Sequence, residues 1–134
     1  MSTRAEHSRG EPVLTGLRTG GAIAVCVALL AIVGLTPSFS WFPETPLILT
    51  ALLIPVLGYG LAGYRSAAVS HRLLDGVIAG AVAGVISGAV GGMSYVLFGK
   101  PVLNAFVGPI LGAVGGSFVG GVAALLALRR AGMS

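Results

Sequence analysis

The residue types that perform chemistry in proteins are scarce in this chain. Its 134 residues include four acids, two histidines and one cysteine. His7 and His71 are far apart, and together with Cys26 they supply too few ligands for a metal site. No serine, cysteine or lysine is paired with an adjacent base, and no glycine stretch follows a strand as a phosphate-binding loop requires. We therefore expect no catalytic residues and no metal site, and we predict that the protein is not an enzyme.

Two polar residues in apolar surroundings are candidate polar sites. Asp75 is the only acid inside an apolar run, and intramembrane carboxylates often handle protons or ions. We favour another role, capping or an ion pair with Arg72, because a carboxylate at the start of a helix binds free amides and suits the helix dipole. For Asn104, near the start of the last apolar run, we favour an interhelical hydrogen bond.

The sequence does not identify a cofactor. His71 lies in a polar segment between two predicted spans, which we expect at the membrane interface. It is therefore a poor axial ligand for a haem or chlorophyll buried in the bilayer. Quinones and lipids remain open. Cys26 lies among alanine and valine, where we expect a buried, unreactive thiol.

The composition indicates which solvent the protein faces. Hydrophobic residues make up 55% of the chain and charged residues 9%, whereas soluble domains carry about 25% charged residues. Too few polar side chains are present to cover such an apolar interior in water, so the surface must face lipid. The net charge of +4 does not indicate nucleic acid, because the basic residues are dispersed with no run of five or more.

The hydrophobic pattern predicts an all-α, integral membrane four-helix bundle. Uncharged or nearly uncharged runs long enough to cross roughly 30 Å of hydrocarbon predict helices over about 20–37, 46–64, 73–98 and 102–128. These four spans form one domain over residues 20–130. Residues 1–19, with Gly10 and Pro12, are predicted to be a flexible cytoplasmic tail, and 131–134 a short C-terminal tail.

The connections have their own signatures. Residues 38–45 hold aromatic side chains, including Trp41, and predict an interfacial loop. Tyr59 and Tyr64 are expected in an interfacial belt at the far end of the second helix. Residues 65–72 predict a polar link, and 99–101 a tight turn. The first helix resembles a signal peptide in length, with small residues at Ser38 and Ser40, but we favour a retained helix.

The basic residues predict orientation. Seven arginines fall on one side of the four spans and only Lys100 on the other, which the positive-inside rule interprets as cytoplasmic N- and C-termini. We therefore expect a multi-pass protein of the cell, or inner, membrane. The seven arginines are Arg4, Arg9, Arg18, Arg65, Arg72, Arg129 and Arg130.

Glycine spacing is the most specific motif. The chain has 22 glycines, about twice average usage, and two rows of them recur every four residues within predicted helices. In lipid, such rows let two backbones approach closely. The short intervening turn predicts a glycine-zipper antiparallel hairpin of helices 3 and 4. The rows are Gly76, Gly80, Gly84, Gly88 and Gly92, and Gly108, Gly112, Gly116 and Gly120.

A second row of small residues adjoins each glycine row. These rows would let each helix pack closely on another neighbour, from the same chain or from another subunit. We leave both alternatives open. The second rows are Ala79, Ala83, Ser87 and Gly91 in the third helix, and Pro109, Ala113, Ser117 and Gly121 in the fourth.

These features favour a non-catalytic structural or accessory subunit, with the bilayer and a membrane-protein partner or a second copy as its contacts. The first alternative is a small oligomeric transporter or channel around Pro55 and Pro109, although only hydroxyls such as Ser87 and Ser117 lie deep. The second alternative is a phage-type lysis protein or another membrane-permeabilising protein.

Overall fold

A computed structural model describes residues 3–35 and 44–132, with side chains at all of these positions except 3–10, 35, 44, 45, 47 and 48. These residues form four helices: α1 Thr3–Leu35, α2 Glu44–Ser70, α3 Leu73–Leu97 and α4 Asn104–Arg130. Each contains a segment long and apolar enough to cross a membrane: Glu11–Gly34, Leu49–Ser70, Leu73–Leu97 and Asn104–Arg130. The predicted all-α architecture with four candidate spans is confirmed for the described part of the chain.

The start of α1 differs from the sequence-based boundary. A flexible tail was predicted over residues 1–19, but the helix begins at Thr3 and continues through Pro12. Packing explains the difference for the part of the helix around Gly16 and Gly20. A methyl group added to Gly16 would lie 2.6 Å from the carbonyl oxygen of Ala79, and one added to Gly20 would lie 2.8 Å from Cα of Ala83. These contacts with α3 outweigh the weak local propensity of this stretch.

The connection between α2 and α3 is shorter than predicted. Residues 65–72 were expected to be a polar link, but α2 continues to Ser70. His71 then adopts the left-handed conformation, with φ of 57°, and its N–H bonds the carbonyl of Ala67 at 2.8 Å. This bond ends the helix in a left-handed cap. Ala67 is fully buried beside Ala124, so packing against α4 extends α2.

The connection between α3 and α4 is a tight turn with a glycine cap. Gly99 has φ of +80°, which glycine adopts without steric cost. Its N–H bonds the carbonyl of Val96 at 3.0 Å, and the N–H of Lys100 bonds that of Tyr95 at 3.1 Å. This pair of bonds is a Schellman motif. It turns the chain back, so that α3 and α4 run antiparallel.

Small residues form the core. Both α2 and α3 contact all three other helices, whereas no Cα atoms of α1 and α4 approach within 8 Å among the described residues. No large side chain is fully buried in this part of the chain. Helices in lipid associate by close backbone packing rather than by hydrophobic burial, which suits such a core. Fully buried alanines are Ala62, Ala67, Ala79, Ala83 and Ala124.

Some predicted features lie outside the described residues. The interfacial loop over 38–45 falls mostly in this category, including its aromatic residues Phe39, Trp41 and Phe42. Of the predicted C-terminal tail, the structure describes only Ala131 and Gly132, which form a turn after α4.

Candidate functional site

Glycines of α3 and α4 lie in direct backbone contact. Three pairs face each other: Gly80 with Gly116, Gly84 with Gly112, and Gly88 with Gly108. In each pair, a methyl group added to either glycine would overlap the carbonyl oxygen of the other. Only glycine therefore fits at these six positions without moving a helix.

The ends of the two glycine rows have other neighbours. A methyl group added to Gly92 would overlap the carbonyl oxygen of Asn104. One added to Gly120 would lie 2.7 Å from the carbonyl oxygen of Gly76, and one added to Gly76 would lie 2.8 Å from that of Gly63 in α2. Gly76 also lies against Ala124 of α4, so the α3 row contacts α4 along its whole length and α2 in addition at its first glycine.

The two candidate polar residues stand apart, at opposite ends of the bundle. Asp75 is half-buried in the first turn of α3. Within the described part of the chain its carboxylate makes neither the expected amide bond nor an ion pair with Arg72. Asn104 is the first residue of α4 and is half-buried. Its side chain makes no hydrogen bond to a described residue, and its backbone carbonyl lies against Gly92.

The second small-residue row of α3 packs inside the chain. Ala79 and Ala83 are fully buried, and they lie against Gly16 and Gly20 of α1. Ser87 is 3% exposed. Within the chain, α1 covers Ala79 and Ala83, and Tyr59 of α2 contacts Ser87.

The second row of α4 has a different environment. Pro109, Ala113, Ser117 and Gly121 are all half-buried. A methyl group on Gly121 would lie 3.2 Å from a side-chain carbon of Val77, so the row borders α3. Among the described residues it has no contact with α1. Gly115, which lies on a different face of α4, has open space around the position of an added methyl group.

A buried polar pair connects α2 and α3. The Tyr59 hydroxyl lies 2.6 Å from Oγ of Ser87, and Ser87 Oγ also donates to the carbonyl of Gly84 at 3.3 Å. Tyr59 is 8% exposed, which corrects its predicted place in an interfacial belt. Its ring packs among Ile23, Ala62 and Ala79 in the core, because α1 and α3 cover this face of α2.

A polar cavity of about 310 Å³ lies between the first turns of the α1 span and the last turns of α2. Two arginines, Arg18 and Arg65, line it together with Glu11. Neither arginine forms an ion pair with a described carboxylate. Four hydroxyl residues complete the polar lining: Thr15, Thr19, Ser66 and Ser70.

Other chemistry is sparse in the described residues. Among them, no three or more His, Cys, Asp and Glu side chains are grouped to hold a metal ion. Every buried side-chain polar atom there has a hydrogen-bond partner. Cys26 is exposed on α1, so the prediction of a buried thiol was wrong. It lies beside Val25, which is 61% exposed, on the side of α1 that turns away from the bundle.

Comparison of the chain with protein-family models, with curated proteins and with solved structures finds no match. The arguments for function therefore come from the residues and their geometry alone.

Sequence reasoning missed the glycines of α1 and the cavity. Gly16 and Gly20 have the same four-residue spacing as the longer rows, which was the available signal. For the cavity, the signal was a hydroxyl pair at spacing four beside an arginine on each helix: Thr15 and Thr19 with Arg18, and Ser66 and Ser70 with Arg65. The arginines were interpreted only as markers of orientation.

Proposed function

We propose that this protein is a non-catalytic integral membrane subunit, which docks on a larger membrane complex or on a second copy through small-residue helix faces. The unequal covering of its second rows carries the proposal. Ala79, Ala83 and Ser87 of α3 are buried within the chain, whereas Ala113 and Ser117 of α4 are only half-buried. Small residues left open on a membrane helix are suited to close packing with another helix.

The surroundings of the α4 row support docking at this helix. Within the described residues α4 contacts only α2 and α3. Large apolar side chains lie beside the open small residues: Phe118 is 73% exposed, Val114 66% and Ile110 63%. Their bulk next to the small row makes an uneven surface, and helix association in lipid depends on such packing.

Two finer features belong to the same proposal. The α3–α4 hairpin acts as a glycine zipper, which the three facing glycine pairs support. Both termini lie in the cytoplasm and the protein resides in the cell, or inner, membrane, which the seven arginines at one end of the spans and Lys100 at the other support.

Mild-detergent purification from native membranes tests the docking proposal. We expect the wild-type chain to be recovered with a partner protein or as a homo-oligomer, as measured by native mass spectrometry. Ser117→Leu places bulk on the open row of α4 and should remove that association. Gly21→Leu on α1 is the control, because a methyl group added to Gly21 has no atom of another helix within 4 Å. Recovery of the wild-type chain solely as a free monomer would contradict the proposal.

The alternatives from the sequence gain no specific support. A transporter or channel needs polar groups along a path, but the deep pair of Tyr59 and Ser87 is bonded to itself and to Gly84. Ser117 donates to the carbonyl of Ala113 at 2.7 Å within its own helix. The lysis hypothesis rests only on size and glycine content. We therefore retain the accessory-subunit proposal.

A further inference from the structure

We infer that the polar cavity between α1 and α2 binds the phosphate group of an anionic membrane lipid. This binding is independent of any partner on α4. The cavity volume of about 310 Å³ is at the lower end of small-molecule pockets. It therefore accommodates a headgroup and leaves the acyl chains outside.

The cavity lining has the chemistry of a phosphate site. Guanidinium groups bind phosphate oxygens through paired, charge-assisted hydrogen bonds, and Arg18 and Arg65 come from two different helices. Hydroxyls add further donors. Ser70 Oγ already accepts a hydrogen bond from the N–H of Arg72 at 3.3 Å, so its own proton is left to donate.

Glu11 limits the charge of the ligand. Two arginines and one glutamate leave the lining with one net positive charge, which matches the single negative charge of a phosphodiester. A carboxylate also accepts hydrogen bonds from a hydroxylated headgroup. These two properties favour a phosphodiester lipid such as phosphatidylglycerol over a multiply charged phosphate compound.

The location of the cavity favours a lipid over a soluble phosphate. It lies at the end of the bundle where Arg72, Arg129 and Arg130 also occur, and basic pockets between helices at this level of a membrane bind anionic headgroups. Two apolar residues, Leu14 and Val69, contribute to its lining and are 47% and 68% exposed. They give acyl chains an apolar route from the cavity to the hydrocarbon.

Lipid binding by the full-length protein in nanodiscs tests this inference. The nanodiscs contain phosphatidylcholine, alone or mixed with phosphatidylglycerol, and native mass spectrometry after detergent extraction measures the retained lipid. We expect the protein from the mixture to retain phosphatidylglycerol in preference to phosphatidylcholine, and retention in proportion to the lipid composition would contradict a specific site. The double variant Arg18→Gln with Arg65→Gln should bind phosphatidylglycerol at least about tenfold more weakly, which is equivalent to ~1.4 kcal/mol or more.

The control variant combines Arg129→Gln with Arg130→Gln. It removes the same charge from the same end of the bundle but leaves the cavity unchanged, so we expect its affinity to stay within about twofold of wild type, since surface charges contribute little. Equal loss in both variants would overturn the inference, because nonspecific attraction would then explain the binding. Circular dichroism checks that the variants fold.

A third variant and a competition arm separate the remaining outcomes. Arg18→Lys with Arg65→Lys keeps the charge but loses paired hydrogen bonding, so we expect weaker binding than wild type even if the glutamine variant fails to fold. Wild-type affinity in the lysine variant would overturn a guanidinium site. Displacement of the lipid by millimolar inorganic phosphate or glycerol phosphate would overturn the lipid assignment in favour of a soluble phosphate compound.

Discussion

At the scale of single residues, hydroxyl groups in the apolar interior contribute hydrogen bonds to the packing. Ser87 has one proton, which it donates to the carbonyl of Gly84. Tyr59 is then the donor in its bond to Ser87. This chain of two bonds connects α2 to the backbone of α3 at Gly84, the residue that also contacts Gly112 of α4.

Removing the Tyr59 hydroxyl should therefore destabilise the bundle. We expect Tyr59→Phe to lower the free energy of unfolding by about 1 kcal/mol, the usual contribution of a hydrogen bond in proteins and between membrane helices. Unfolding by sodium dodecyl sulfate in mixed micelles measures the change. Tyr95→Phe is the control, because Tyr95 is 57% exposed and its hydroxyl makes no hydrogen bond to a described residue. Equal stability of both variants would show that the Tyr59 bond contributes nothing.

The two polar residues singled out by the sequence do not form a shared site. Asp75 and Asn104 lie at opposite ends of α3–α4, and neither side chain bonds a described neighbour. Asp75 is nevertheless in the first turn of α3, where its charge suits the helix dipole. Chemistry that needs two cooperating side chains has no candidates at these positions.

At the scale of helices, contact between α3 and α4 stabilises both helices more than their own amphipathicity does. Glycine in a helix interior costs about 1 kcal/mol relative to alanine, and these two helices carry nine glycines in the two rows. The cost is offset where glycine permits backbone contact, as at Gly84 and Gly112. Dispersion between the two backbones and short interhelical distances then stabilise the hairpin.

A pair of glycine substitutions on these helices separates packing from propensity. We expect Gly84→Ala to destabilise the protein by about 1–3 kcal/mol, since the added methyl group overlaps the Gly112 backbone and must push the helices apart. Gly115→Ala should be neutral or stabilise by up to ~1 kcal/mol, because space is open there and alanine favours helix. Detergent-induced unfolding measures both. Destabilisation of similar size at both positions would contradict this account of the interface.

The first helix illustrates how packing extends an element beyond its local signals. Local composition predicted that structure starts near Gly20, yet α1 continues back through Gly16 and Pro12. Gly16 and Gly20 contact Ala79 and Ala83 across the interface. Because the chain is helical there, Arg18 lies on α1 at the wall of the cavity.

At the scale of the whole molecule, α2 and α3 form the centre and α1 and α4 flank them. The start of the α1 span lies at the same end of the bundle as the finish of α2, because Arg18 and Arg65 line one cavity. Lys100 lies in the turn at the opposite end. The basic residues are therefore segregated along the bundle axis, the pattern on which membrane insertion acts.

Cysteine labelling in intact cells tests the proposed orientation. In a Cys26→Ser background, Lys100→Cys should react with a membrane-impermeant maleimide added outside, because the α3–α4 turn is exposed there. Arg130→Cys should react only after the membrane is permeabilised. Labelling is read by gel shift. The reverse pattern would show that the termini face outwards.

The sequence by itself predicted an apolar surface, four candidate spans and the tight turn at Gly99. Apolar surface and span number follow from local hydrophobicity, and the turn follows from the backbone freedom of glycine. None of these predictions requires knowledge of contacts between distant residues. The sequence also singled out the glycine rows, because a four-residue period is a property of one helix.

Tertiary structure decided which helix covers which face. That α1 buries Ala79 and Ala83 while the α4 row stays half-buried depends on contacts between distant segments. The same contacts moved Tyr59 into the core, exposed Cys26, and brought Arg18 and Arg65 to one cavity. Periodicity shows that a helix face is small or polar. In lipid, however, hydrophobicity does not distinguish one apolar face from another as a packing surface. Only the packed arrangement selects the neighbour.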